Sequence, residues 1–293
     1  MQRMTGQRNP AGGATMARTL SAPAPLRLRP LEIGDLLDET FRMYRRHFLL
    51  FAGISVILSI PLAAGAGFSF FALFNNLAQQ TASNQPPDLG PILASLAVVL
   101  VLAVALYPLL YGSITYAACE SALGRPVTFW GALRAALRRY FHIIGYFLLL
   151  TPMAVLFCLF PLWIWIGVRW IAWMPAMFVE NIGLGAALGR SWRLLEGRWW
   201  RTFLILFLMY ILIQVVATAL QAFLYLGQLV LSAFLSSYLS LAISEATGIL
   251  VSSLVSPILQ IATVLIYFDL RVRREGLDLF QLAQRVGTSS PAA

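Results

Sequence analysis

Of 293 residues, 59% are apolar and only 11% charged, so the chain cannot hide its apolar surface in a single water-soluble core. Its 21 basic residues are all arginine, give a net charge of +9 and border apolar runs, which points to anionic lipid head groups as partners and away from nucleic acid. Two cysteines, Cys119 and Cys158, are too few for a metal cluster or a disulfide framework and are expected as free thiols.

Residues 1–30 hold Arg3, Arg8, Arg18, Arg27 and Arg29 among Gly, Ala, Pro and Thr, without the apolar stretch of a secretory signal, and read as a disordered basic cytoplasmic tail. From Leu31 to Phe48, helical spacing puts Ile33, Leu37, Phe41, Tyr44 and Phe48 on one face. Acids come early (Glu32, Asp35, Asp38, Glu39) and bases late (Arg42, Arg45, Arg46), the order a helix dipole favours over a metal site. An uncharged run to about Phe74 is long enough to cross roughly 30 Å of hydrocarbon, with a kink expected at Pro61. Within it Ser55, Ser59, Ala63 and Gly67 form a small-residue groove that another helix could enter. Asn75 to Pro91 reads as an outer loop, and a second span runs from about Ile92 to Ala118.

Arg125 to His142 repeats the amphipathic theme, with Trp130, Leu133, Leu137, Tyr140 and Ile144 as the apolar face and Arg134, Arg138 and His142 opposite. Ile143 to Val179 lies between two basic segments, so an even number of crossings is required; it is divided near Pro161 into spans three and four. Gly185 to Phe203 is the third amphipathic stretch, with Leu184, Leu188, Trp192, Leu195 and Trp199 on one side and arginines on the other. Span five covers about Thr202 to Leu226. Gly227 to Thr247 is a mildly apolar outer segment, and span six runs from about Gly248 to Phe268. Residues 276–293 read as a cytoplasmic tail.

The expected fold is therefore an all-α polytopic membrane protein of about six transmembrane helices with three cytoplasmic amphipathic helices. Its membrane domain covers residues 31–275. Units at about 31–118, 126–182 and 184–270 suggest a threefold internal repeat, in which His47-Phe48, Arg139-Tyr140 and Arg198-Trp199 align. Twenty arginines fall on the side of the N-terminus and none in an outer loop, which places both termini in the cytoplasm of an inner-membrane protein.

The expected lipid-binding set is Arg134, Arg138, Arg190, Arg193, Arg198, Arg201, Trp199 and Trp200, which join positive charge to head-group-level aromatics. The intramembrane polar candidates are Arg169, Gln214, Gln221, Glu245 and Gln260. Arg169 reads first as snorkelling to the outer turn at Pro161 and second as a buried cation needing water, lipid phosphate or an acid, with Glu245 as the best candidate acid. Gln214, Thr218, Gln221 and Tyr225 make one stripe on span five, and Ser252, Ser256, Gln260 and Thr263 another on span six. These read first as interhelical hydrogen-bonding groups and second as the wall of a path for a polar solute. Glu180 and Asp269 are placed to pair with arginines of the surface helices.

No zinc-protease His-Glu-x-x-His, Gly-x-Ser-x-Gly elbow or phosphate-binding Gly-rich loop occurs; no catalytic residue, metal or cofactor is expected, and His47 and His142 read as interfacial. The stretches Arg29 through Phe48, Glu180 through Phe203 and Tyr267 through Leu279 together resemble the membrane domain family named after glycerophosphoryl diester phosphodiesterase, over residues 29 to about 280. Asn181 and Gly189 depart from its pattern, standing where Gly and a base are expected. The resemblance implies a bacterial multi-pass protein from a family mostly without assigned activity. Named members join this domain to a phosphodiesterase barrel that supplies metal-binding carboxylates and histidines, and no barrel residues occur in this sequence. The leading functional expectation is a non-enzymatic scaffold or accessory subunit that binds anionic lipid and a protein partner. A small transporter or flippase-like protein for an amphiphile is second, and an intramembrane hydrolase third.

Overall fold

The computed structural model describes residues 32–83, 88–155 and 160–275; both predicted tails, Arg29, Cys158 and Pro86-Pro87 lie outside them. Among these residues the chain is all helical, with α1 (Ile33–Arg46), α2 (Phe48–Ala82), α3 (Gly90–Ala122), α4 (Phe129–Arg138) and α5 (Tyr140–Val155) followed by α6 (Phe160–Arg169), α7 (Trp173–Val179), α8 (Leu184–Leu195), α9 (Trp199–Ser232) and α10 (Ser237–Glu275). By length and composition, five stretches can cross a membrane: α2, α3, Pro161–Val179, α9 and α10. The predicted third span is represented by α5, whose apolar part, Tyr140–Leu150, is shorter, and the predicted fourth is interrupted by a turn at Trp170 to Ala172.

α2 and α10 form the centre. All four groove residues of α2 are buried, and Gly67 lies so close to α10 that a Cβ there would sit 3.0 Å from the Ala242 carbonyl oxygen. Close approach of two helices in an apolar solvent depends on such small residues, because lipid is as good a neighbour for a large side chain as protein is. Pro257 kinks the opportunities of α10 rather than its packing: it removes a backbone donor, and the hydroxyl of Ser256 donates to the Ser253 carbonyl left over (3.3 Å). From α1, the Tyr44 hydroxyl donates to the neighbouring Leu254 carbonyl. Tyr140 does the same three residues before Pro108 of α3, donating to the Ala105 carbonyl at 3.2 Å.

The long helices reach further than predicted. The expected outer loop from Asn75 continues as helix to Ala82, since its Leu, Ala and Gln residues favour helix and Asn76 and Thr81 bond back to Ala72 and Leu77. The segment from Gly227 to Thr247 is not a separate interfacial piece; it completes α9 and begins α10, with a turn between Ala233 and Ser236. At 1.5 Å per residue α10 is about 58 Å long, well beyond the hydrocarbon thickness.

The short helices α1, α4 and α8 occur where amphipathic helices were expected; the predicted faces of α1 and α8 meet the core through Ile33, Leu37, Phe41 and Tyr44 and through Leu184, Leu188 and Leu195, whereas that of α4 is turned outward at Trp130 and Leu137. α1 buries Leu36, Thr40, Met43 and Tyr44; α4 buries Ala132 and Ala136; α8 buries Ala187, Ser191, Leu194 and Leu195. Trp130 and Leu137 of the predicted α4 face are instead 72% and 60% exposed. Gly112 of α3 explains this: a Cβ there would meet Ala136 at 3.1 Å and Ile143 at 2.7 Å, so α4 approaches α3 through its alanines. The three aligned pairs, His47-Phe48, Arg139-Tyr140 and Arg198-Trp199, all mark the junction of a short helix with the next helix.

The groove makes a direct prediction. Gly67→Leu should push α10 away from α2 and destabilise the fold by about 1 to 3 kcal/mol, seen as a lower thermal unfolding midpoint in detergent. Gly53→Ala, where nothing lies within 4 Å, should leave the midpoint unchanged or raise it.

Candidate functional site: a polar cavity beside α9

α9 buries Ile205 and Met209 near its start; from Tyr210 outward most of its residues are exposed. The space it leaves against α10 and α3 holds two adjoining cavities of about 1060 Å³ and about 510 Å³. The smaller one is lined by Gln214, Gln260, Thr263, Tyr146 and Trp173, the larger by Tyr225, Gln228, Glu245, Tyr107 and Ser59. Tyr111, Thr218, Gln221, Ser252 and Ser256 line both. Every residue of the two predicted polar stripes thus stands on a cavity wall.

The expected hydrogen bonds between the stripes are not what holds them. Ser256 and Thr263 donate to carbonyls of their own helix, and no hydrogen bond joins the two stripes among the described residues. Near the turn between α9 and α10 Gln228 does bridge, donating to the Ser240 carbonyl at 3.1 Å and accepting from Ser244 at 2.7 Å.

Arg169 lies elsewhere. It does not snorkel to Pro161 and does not meet Glu245; its guanidinium stacks on Trp165 of its own helix (5.3 Å) and on Trp192 of α8 (4.9 Å). Its Nε and Nη1 are buried without a hydrogen-bond partner among the described residues, so two indole faces supply its stabilisation. The sequence missed what fixes this geometry. Ser191, fully buried on α8, donates to the Arg169 carbonyl at 2.8 Å and accepts from the Ala172 N–H at 3.1 Å, satisfying the turn between α6 and α7. Trp199 adds a bond to the Trp165 carbonyl at 3.2 Å.

The eight predicted lipid-binding residues divide into two groups. Arg190 donates to Glu180 at 2.9 and 3.0 Å and also reaches Glu275, which in turn accepts from Arg271. Burial opposes the charge on Arg190, and the bonds to Glu180 and Glu275 more than offset it, so its pKa lies above the ordinary arginine value. Arg201 pairs with Asp269 at 2.6 Å, Arg273 pairs with the same carboxylate at 2.9 Å, and Arg198 donates to the Arg273 carbonyl at 3.4 Å. Glu180 and Asp269 therefore do pair with arginines of the third amphipathic stretch. Arg134, Arg138, Arg193 and Trp200, by contrast, are exposed, and the three arginines have no ion-pair partner among the described residues. Trp199 is half-buried against Phe203.

Asn181, which departs from the family pattern, has a φ of +54°, in the left-handed region that glycine adopts freely and asparagine tolerates better than most residues. Its side-chain oxygen accepts from Arg139, which also bonds the Ile182 carbonyl at 3.1 Å.

The all-helical composition and the five stretches long and apolar enough to cross a membrane define a polytopic all-α membrane protein. Its residues 141–276 match the sequence model of the membrane domain of glycerophosphoryl diester phosphodiesterase. The match covers α6 to α10 and nearly all of α5, includes the stretch Glu180 through Phe203, and stops short of Arg29 through Phe48. Comparison with curated proteins and with solved structures returns no match.

The ion pairs predict a specific weakness. Asp269 is 2% exposed, so Asp269→Asn leaves Arg201 and Arg273 facing each other without their counter-charge. The expected loss is roughly 3 kcal/mol, read as a lower unfolding midpoint, whereas Arg134→Gln should have little effect on it.

Proposed function

We propose that this chain is a non-enzymatic membrane protein that admits an amphiphile from the bilayer into the space between α3, α9 and α10, in the manner of a small transporter or flippase. One observation carries the reading: all eight residues of the two polar stripes line the adjoining cavities, while the outward surface of α9 is apolar. Polar side chains within a span are expensive unless they serve another helix or a solute, and these serve no other helix. A head group would lie among Gln214, Gln221, Gln260 and the serines, with its acyl chain passing beside α9 into lipid. Neither histidine, His47 nor His142, lines the cavities.

A second reading, as a scaffold on anionic lipid, is favoured by the exposed Arg134, Arg138 and Arg193 beside Trp130 and Trp200, which are 72% and 76% exposed. Both readings place the arginine-bearing end at the cytoplasmic face of the inner membrane.

Three measurements test these points. Ser252→Trp or Gln221→Trp should fill the cavity and abolish both cross-linking of an acyl-chain photoprobe to α9 and transbilayer movement of labelled lipid in proteoliposomes; unchanged behaviour in both assays would remove the cavity from consideration. Replacing Arg134, Arg138 and Arg193 together by glutamine should reduce retention of anionic lipid in native mass spectrometry, since each contributes about 1 kcal/mol near an anionic leaflet, without lowering the unfolding midpoint. Reporter fusions at residues 80 and 235 should report the outer side, and fusions at 125 and 197 the cytoplasm.

A further inference from the structure

We propose that Glu245 makes the larger cavity selective for a positively charged head group, an ammonium carried on an amphiphile; this rests on the reading of the cavity as a binding site. Three observations converge. Glu245 is the one carboxyl side chain that lines either cavity among the described residues, and no arginine or histidine lines them. Unlike Glu120, Glu180, Glu196, Asp269 and Glu275, each of which pairs with an arginine, Glu245 has no arginine partner among the described residues. Finally, the same cavity is walled by Tyr107, Tyr111 and Tyr225, of which Tyr107 and Tyr225 are 37% and 59% exposed.

A half-buried carboxylate on a cavity wall favours a cation as its neighbour, and no arginine among the described residues supplies one. Aromatic faces around a carboxylate are the chemistry that holds ammonium groups, through the ring quadrupole and the opposite charge together. An anionic head group would meet repulsion from Glu245 and find no basic side chain on the cavity wall. A neutral polyol head group would be served by the glutamines and serines, but would leave the carboxylate uncompensated.

The test uses the full chain purified in mixed micelles and dioleoyl lipids that differ only in head group: a trimethylammonium-propane, a neutral diacylglycerol and a phosphatidylglycerol. Native mass spectrometry compares bound lipid for the wild type, Glu245→Gln and Ser252→Trp. The wild type should bind the ammonium lipid about tenfold more tightly than either of the others. Glu245→Gln should lose that preference while keeping diacylglycerol binding, and Ser252→Trp should reduce binding of the ammonium lipid and the diacylglycerol alike. Equal wild-type affinity for all three lipids, reduced throughout by Ser252→Trp, would overturn the charge preference and leave the cavity reading standing. Binding that Ser252→Trp does not alter would overturn the cavity reading itself. The wild-type head-group series needs no variant to fold, and a preference for phosphatidylglycerol there would overturn the proposal directly.

Discussion

The close approach of α10 to α2 sets the rest of the arrangement. In lipid there is no hydrophobic force pressing helices together, so contact is won where backbones can come near, and Ser55, Ser59, Ala63 and Gly67 provide that strip. Once α10 is committed to α2, its opposite side is left to α9, which has no comparable small-residue strip. α9 is therefore tied to α10 mainly at its two ends, by Ile205, Met209 and the Arg201–Asp269 pair at one and by the Gln228 bonds to Ser240 and Ser244 at the other, while most of the residues between are exposed. The cavities lie along that loosely packed stretch.

The same physics decides what the sequence could reveal. The groove on α2, the two polar stripes and the pairing of Glu180 and Asp269 with arginines were legible, since each depends on residue type at helical spacing. The buried face of α4 was not. An amphipathic pattern in a soluble protein points its large apolar stripe at the core, but beside a membrane that stripe has two equally apolar destinations. Here α4 turns its alanines to α3 and leaves Trp130 and Leu137 outside. Nothing in the local spacing distinguishes the two; Gly112, some twenty residues earlier in the chain, makes the choice.

Arg169 was unreadable for a related reason. Hydropathy identifies it as an isolated cation in an apolar run, but its environment is made by Trp165 and Trp192, residues that the pattern assigns to ordinary interfacial duty. The turn at Trp170 to Ala172 brings Arg169 against α8, and that turn is stabilised by a single serine, Ser191, in the middle of an arginine-rich helix. A serine at that spacing carries no sequence signal of its own. Helix ends were misjudged for a simpler reason: the bilayer sets a minimum length for a span, not a maximum, and Asn75 to Ala82 contains nothing that stops a helix.

The uneven distribution of arginine along the chain also shapes its chemistry. Most of the paired acids of the membrane domain find their partners at the arginine-bearing end, where Arg190, Arg201, Arg271, Arg273 and Arg274 tie α7, α8 and α9 to the last turns of α10. Glu245 lies 24 residues before Asp269 on the same helix, roughly 36 Å away along its axis. No arginine occurs between Arg201 and Arg271 in the chain, so α9 and α10 offer no cation along the cavity. With arginine absent from that stretch, no described residue supplies a counter-charge for Glu245, which leaves that place to a bound solute.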